Sequence, residues 1–247
     1  MRPLPEWLYI RYAKLYDRYG EEAWTLHDAI STWHDPVARA NVVVSMLRSR
    51  GHAILFRREG QFRLYRLVNP EDFLFSSIHL PNLDQVQVEA YKPIIIKTIK
   101  NLKSSLGPKL VAVGLFGSVA RGTPSRTSDV DLYVVADWKN LRLSQRIEEI
   151  IPYMNPLDDE LSRMYRNGFM TQVAPRPANK IDAGRFQPLH LDFSTDGIII
   201  YDPETFLENT WKHLKTWLTK NNIQRFETED GYWYWRLDPN IEIGARY

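Results

Sequence analysis

Two aspartates separated by one residue, Asp129 and Asp131, stand at the head of an apolar run, Leu132-Tyr133-Val134-Val135. Side chains alternate in direction along a strand, so Asp129, Asp131 and Tyr133 share one face and Val130, Leu132 and Val134 the other. Two adjacent carboxylates repel each other unless a cation lies between them. A hard divalent cation such as magnesium is the simplest partner, since it takes one or two carboxylates together with substrate phosphates. Upstream, the apolar run Leu110 to Phe116 ends at Gly117-Ser118. Gly117 lets the backbone approach a ligand closely, and Ser118 offers a hydroxyl and a backbone N–H at a helix start, where phosphate binds readily. The stretch from Leu110 to Asp137 therefore reads as strand, glycine turn, short helix or loop, strand. Its chemistry is that of a metal and a phosphate chain held together.

The spacing resembles that of the DNA polymerase beta nucleotidyltransferase superfamily, and within it the minimal nucleotidyltransferase branch. The pattern GSxARGxxxxxSDxDL stands here as Gly117, Ser118, Ala120, Arg121, Gly122, Ser128, Asp129, Asp131 and Leu132. Nine matching positions in a strand–turn–strand context carry more weight than a bare Gly-Ser and Asp-x-Asp. The resemblance covers roughly residues 93–202. It implies a mixed sheet flanked by helices and two magnesium ions clamping the attacking and leaving oxygens. It also implies an NTP substrate, with ATP the expected one. Gly117, Ser118, Arg121 and Ser128 become nucleotide-binding candidates, with Arg121 equally able to pack or form an ion pair under the loop.

In that superfamily a third carboxylate lies on a strand beside the aspartate pair. Leu189-His190-Leu191-Asp192-Phe193 alternates apolar and polar residues, so Asp192 is the match, as metal ligand and as a base for the acceptor proton. Thr195-Asp196-Gly197 reads as a hairpin turn and Ile198–Tyr201 as the return strand. Asp196 as a turn-former and Asp182 on a polar loop are the rivals. His190 reads as a phosphate contact or as a neutral structural histidine.

At 247 residues the chain is long enough for two domains. Apolar residues make 44% and aromatics 13%, enough for a substantial core. Lys and Arg number 32 against 30 acids, so overall charge neither demands nor excludes nucleic acid. With no cysteine, disulfides, thiolate zinc sites and cysteine nucleophiles are out. Charges interrupt the amino-terminal apolar residues, unlike a signal peptide, and no stretch reaches membrane-spanning length. The chain reads as a cytoplasmic protein.

The elements around the motif follow from periodicity. Helices are predicted over 6–19, about 22–33, and from Asp35-Pro36 to Gly51. A hairpin follows, His52–Arg57 and Phe62–Val68 around a turn at Gly60. Three helices and a hairpin make a winged helix-turn-helix. Between Pro36 and Val68 there are seven arginines and one acid. Arg39, Asn41, Arg48, Arg57 and Arg58 are therefore candidate nucleic-acid contacts, against the alternative of a protein-contact module. Residues 69–84 lack sustained periodicity and read as linker. A helix from Pro93 ends at Gly107-Pro108, and 141–167 are helical with breaks at Pro152 and Asn155-Pro156. Phe169–Val173 reads as a strand and 175–187 as a polar loop. A helix runs from beyond Pro203 to about Lys220. The aromatic tail puts Tyr232 and Tyr234 on one face and Trp233 and Trp235 on the other, for base stacking or for packing.

The expected architecture is α/β (α+β). It has a winged helix-turn-helix over 1–75, a linker over 76–87, a nucleotidyltransferase domain over 88–202, and a carboxy-terminal helix and aromatic tail over 203–247. Three functions compete. One is a magnesium-dependent transferase moving a nucleoside monophosphate, AMP, to an acceptor. Another is an antitoxin-like or DNA-binding regulator whose nucleotidyltransferase domain binds or modifies a partner protein. The third is an inactive nucleotide sensor, which the presence of all the proposed carboxylates argues against. Expected partners are a nucleoside triphosphate, DNA or RNA at the amino-terminal module, and a protein partner or a second copy, with no membrane.

Overall fold

The structure, a computed structural model, describes residues 4–230, 233–237 and 242–246. Helices α1 (Glu6–Tyr19), α2 (Leu26–Trp33) and α3 (Val37–Ser49) come first. The antiparallel strands β1 (Ala53–Glu59) and β2 (Phe62–Leu67) follow. Thr25 caps α2 through a reciprocal pair of hydrogen bonds with Asp28, which fixes where that helix starts. The three helices and hairpin enclose a core of their own that includes Leu8, Leu15, Trp24, Trp33, Val43 and Leu47.

The residues expected to form a linker do not form one. Asn69 accepts a hydrogen bond from the Glu71 N–H at 2.9 Å and starts helix α4 (Pro70–His79), with Pro70 at the first helical position. The Asn-Pro pair that suggested a linker is also a helix-start signal. Within 76–87 a 3₁₀ turn covers Leu83–Gln85, and Leu80 and Val86 are buried. The amino-terminal module is docked rather than tethered. Ile54, Phe56 and Val68 enter the same core as Ile94, Ile95 and Ile99 of α5 (Lys92–Leu106). Arg66 and Glu160 form a bidentate ion pair at 2.6 and 2.9 Å, each with only 1% of its side chain exposed.

A four-stranded sheet is built from β3 (Leu110–Phe116), β4 (Val130–Ala136), β5 (Val173–Ala178) and β6 (Ile198–Tyr201), in the order β5-β4-β3-β6. β4 and β5 are parallel and the other pairs antiparallel, so the sheet is mixed, as expected. The five-residue helix α6 (Gly117–Arg121) links β3 to β4. A parallel pair needs a crossover. It is supplied by α7 (Leu143–Ile150), a 3₁₀ segment over Ile151–Leu157 and α8 (Asp158–Arg166). α5 packs on the face carrying Val130, Leu132 and Val134. α10 (Leu189–Asp196) and α11 (Phe206–Lys220) cover the face carrying Phe116, Tyr133 and Val135. Short α9 (Lys180–Ala183) precedes α10, and strands β7 (Gln224–Glu227) and β8 (Trp233–Arg236) pair as a tail hairpin.

Three local expectations are corrected. The strand expected over Phe169–Val173 starts at Val173 and runs to Ala178, through residues assigned to a loop because they contain Pro175 and Pro177. β5 lies at the sheet edge, where a strand needs donors on one side only and tolerates proline. Leu189–Phe193 is not a strand but most of helix α10. A five-residue apolar alternation is too short to separate the two periods, and Leu189 and Phe193 are equally an i, i+4 helical pair. The expected hairpin turn at Thr195-Asp196-Gly197 is the end of that helix, and its return strand is β6. No helix among the described residues is long and apolar enough to cross a membrane.

Candidate active site

Asp129 and Asp131 sit at the start of β4, facing the end of β3 on one side and the start of β5 on the other. In the ladders Asp131 is opposite Phe116 and alongside Ala174. Asp129 Oδ1 accepts the Gln172 backbone N–H at 3.1 Å, which ties it to the entry of β5. Burial raises the Asp131 carboxyl above its ordinary range. The neighbouring Asp129 adds to the shift, and Arg176 and Arg121 partly offset it. The Asp129 part of the shift is the repulsion the sequence leads one to expect for two adjacent carboxylates; burial is the larger part.

The turn above the aspartates is shaped by Gly117. Its φ is +72°, and a Cβ built on it would collide with Asp131 Oδ2. Only glycine combines that backbone conformation with that approach. Gly122, at φ +76°, closes α6, and a Cβ there would run into Gln87 Oε1. Ser118 follows Gly117 in the first turn of α6, half-buried. Its hydroxyl has no hydrogen-bond partner among the described residues, while its carbonyl accepts from Thr123 N–H at 3.0 Å.

The loop from Thr123 to Asp129 is fixed from several sides. The Tyr91 hydroxyl donates to the Ser125 carbonyl at 2.9 Å, and the Thr171 hydroxyl to the Ser128 carbonyl at 2.7 Å. Ser128 Oγ accepts the Ser125 N–H at 2.9 Å, so this nucleotide-binding candidate is occupied in shaping the loop.

Arg121, at the end of α6, lies within the fields of both Asp131 and Asp192. Its guanidinium carbon is 5.9 Å from the Trp233 ring centre, and Arg225 is 5.5 Å from the same ring. Arg225 also pairs with Asp196 at 2.9 Å. The tail hairpin is thereby laid against α6 and α10. Tyr232, expected to share a face with Tyr234, lies outside the described residues, as do residues 238–241.

Asp192 is not brought to the aspartate pair. On α10 burial raises its carboxyl, while the charges of Arg121 and Arg225 oppose the shift and Asp196 adds to it. Among the described residues no three His, Asp or Glu side chains are grouped so as to hold a metal ion. The rivals are engaged elsewhere, Asp182 with Arg146 and Asp196 with Arg225. His190 is a core residue. It is 1% exposed, within 3.1 Å of the Tyr133 hydroxyl, and its pKa is pushed down to about 4 by burial. The donor set thus fits one hard cation on Asp129 and Asp131. It does not supply the third carboxylate that a pair of ions was expected to use.

Of the four arginine candidates at the amino-terminal module, Arg48 and Arg57 are engaged inside the molecule. Arg48 pairs with Glu89 at 2.6 Å, and Arg66 with Glu160. Arg57 bonds to Glu59 at 2.6 Å and to the Asn167 carbonyl at 3.3 Å. Asn41 bonds back to the Val37 carbonyl. Arg39 is exposed beside Asp35 at 3.7 Å, and Arg58 is exposed at the hairpin turn. Glu59 in turn pairs with Arg126 at 2.6 Å, so the hairpin touches the loop that carries Asp129.

Residues 95–177 match the profile of a family described as "Nucleotidyltransferase domain". "Putative protein adenylyltransferase MJ1305" of Methanocaldococcus jannaschii is 32% identical over 122 residues, covering 49% of this chain and 79% of that protein. The chain belongs to the nucleotidyltransferase family. It is accordingly an NTP-dependent transferase, and its nucleotidyltransferase domain is the one that holds the glycine turn and the aspartate pair. Two solved structures are also similar. "Crystal structure of the toxin-antitoxin with AMP-PNP" is 24% identical with a TM-score of 0.32, covering 51% of this chain and 90% of that one. "Crystal structure the toxin-antitoxin MntA-HepT" is 18% identical with a TM-score of 0.30, covering 52% and 92%. TM-scores this low bear on neither fold nor function.

Sequence reasoning missed Arg176, because the residues around it carry two prolines and read as loop. It also missed the closeness of Trp233 to Arg121, which no local pattern encodes.

Proposed function

We propose that this nucleotidyltransferase moves AMP from ATP to a hydroxyl group on a protein. The observation that carries the reading is Gly117 lying bare against Asp131, with the Ser118 hydroxyl, unpartnered among the described residues, one residue on. That arrangement supports the reading of a phosphate-binding turn set against a cation-binding pair. The protein acceptor rests on the protein adenylyltransferase description of the Methanocaldococcus jannaschii relative.

Asp129 and Asp131 would hold a magnesium ion together with the triphosphate. When bound, the ion neutralises developing charge on the phosphates and polarises the reacting one. Gly117 and Ser118 hold the β- and γ-phosphates, and Arg121 stands beside them as a fixed positive charge. In the transfer step the acceptor oxygen bonds to the α-phosphorus and the bond from that phosphorus to the bridging oxygen breaks. The electron pair leaves with pyrophosphate, and the acceptor proton passes to solvent. The protein's contribution is largely positioning and charge placement, as in phosphoryl transfer generally.

The amino-terminal module presents the loop rather than floating beside it, through the Arg126–Glu59 and Arg57–Asn167 contacts. A nucleic-acid role for it would have to rest on Arg39, Arg58 and the exposed Arg63.

The deciding experiment incubates the chain with each α-labelled NTP, magnesium and native lysate, and follows the label. A labelled protein that depends on ATP and disappears with Asp129→Asn and Asp131→Asn is the expected result. Label in nucleic acid, or none despite tight NTP binding, would refute the protein acceptor.

A further inference from the structure

The strand beside the aspartate pair is β5, and its residues from Val173 to Ala178 include no acid. Its register with β4 is continuous, with Asp131 alongside Ala174 and Tyr133 alongside Arg176. Residues paired across a ladder point to the same face. Where the family resemblance led one to expect a third carboxylate, the structure has a methyl group and then a guanidinium.

Arg176 is exposed, and it has neither hydrogen bond nor ion pair among the described residues. Its charge nevertheless acts on Asp131. Arg57 and Arg126, also near the loop, both pair with Glu59, and the Arg121 guanidinium carbon lies 5.9 Å from the Trp233 ring centre. An unpaired guanidinium on a strand next to two carboxylates is a planar, permanently charged fork suited to phosphate oxygens. The competing explanation is that Arg176 only protects an edge strand, as charges and prolines commonly do.

We propose that the catalytic face is built for one divalent ion and one guanidinium: Asp129 and Asp131 hold the ion, and Arg176 contacts the triphosphate where a second ion would otherwise stand. This rests on the nucleotidyltransferase reading above and specifies how its substrate is held. A guanidinium cannot be stripped by chelators, so this part of the charge neutralisation at the phosphates is permanent.

The test uses the full chain, manganese as a paramagnetic probe and α,β-methylene-ATP as a non-reacting nucleotide. Electron paramagnetic resonance titration should give one manganese bound per chain–nucleotide complex, and Asp129→Asn should lose it. Two manganese ions per complex would overturn the proposal.

Arg176→Ala, checked by circular dichroism for an unchanged fold, should weaken the triphosphate analogue about ten-fold or more while leaving adenosine unaffected. Arg176→Lys should recover part of that loss, since the charge returns without the fork. Equal affinity of wild type and Arg176→Ala for the triphosphate would show an edge charge only and overturn the proposal. Failure of the wild type to bind the analogue at all, with or without manganese, would refute the proposed function itself, which separates the two failures.

Discussion

Gly117 has its α-carbon against the carboxylate of Asp131, so tightly that no side chain fits between them. The turn proposed to hold phosphate and the strand proposed to hold the cation therefore share one contact. Gly117→Ala should do two things at once. It forces alanine to φ +72°, a left-handed conformation costing about 1–2 kcal/mol, and it pushes Asp131 out of line. The expected outcome is a modest fall in thermal midpoint with loss of metal-dependent ATP binding. Calorimetry and equilibrium dialysis on the same preparation check it. Full nucleotide affinity in a destabilised variant would separate the turn from the site.

The second prediction concerns how the amino-terminal module is held. Arg66 donates to both oxygens of Glu160 and to the Glu21 carbonyl, and pairs with a residue 94 positions away. Removing one member of a buried pair strands the other charge, at a cost of roughly 3–5 kcal/mol. Glu160→Ala should lower the denaturation midpoint by that order and open the boundary after Leu67 to proteolysis. The exposed Glu59→Ala should change stability far less than Glu160→Ala, because surface ion pairs contribute little. Urea titration with limited proteolysis compares the two.

That pair shows what the sequence could not say. From composition alone the arginines from Arg39 to Arg66 form a basic run. A solvated arginine and one destined for a distant glutamate look identical until the chain is folded. The strand–turn–strand at Leu110 to Ala136 was legible because each part carries a local cause: an apolar run, a glycine where φ is positive, and an alternating strand. α4 was hidden because Asn69-Pro70 serves loops and helix starts alike. α10 was hidden because five residues satisfy both periods. There the tertiary setting decides, with His190 and Phe193 packing over Tyr133 on the sheet.

Buried histidines should make stability depend on pH. His190 and His52 are each pushed down to about 4 by burial. Their unfolded value lies near 6.5, so between about pH 4 and 6.5 the unfolded chain binds more protons than the folded one. The stabilisation from neutral histidine is complete above about pH 6.5 and is lost as pH falls toward 4. Asp131, Asp192 and Asp202 are raised and act with the opposite sign nearer their own range. The comparison is therefore clearest between pH 7 and 5. Denaturation midpoints should fall across that interval, and His190→Gln should flatten part of the slope. An unchanged slope in the variant would mean that His190 does not carry it.

The last prediction sets Asp192 against Asp131. Read as part of a strand, Asp192 would be a metal ligand and a base, and its loss would slow transfer by roughly 10²–10⁴-fold. Placed on α10, it lies instead within the fields of Arg121 and Arg225. Asp192→Asn then removes one of two carboxylates that draw on the same guanidinium and leaves Asp129 and Asp131 untouched. Triphosphate affinity should stay the same or tighten slightly, because Arg121 is freer to meet phosphate, and the transfer rate should change only a few-fold. Asp131→Asn, by contrast, should abolish metal-dependent binding. Measuring nucleotide affinity and single-turnover rate for both variants separates the roles. A normal affinity with a rate depressed a hundred-fold or more in Asp192→Asn would mean that α10 moves this carboxylate onto the acceptor during the reaction, and that Arg121 releases it.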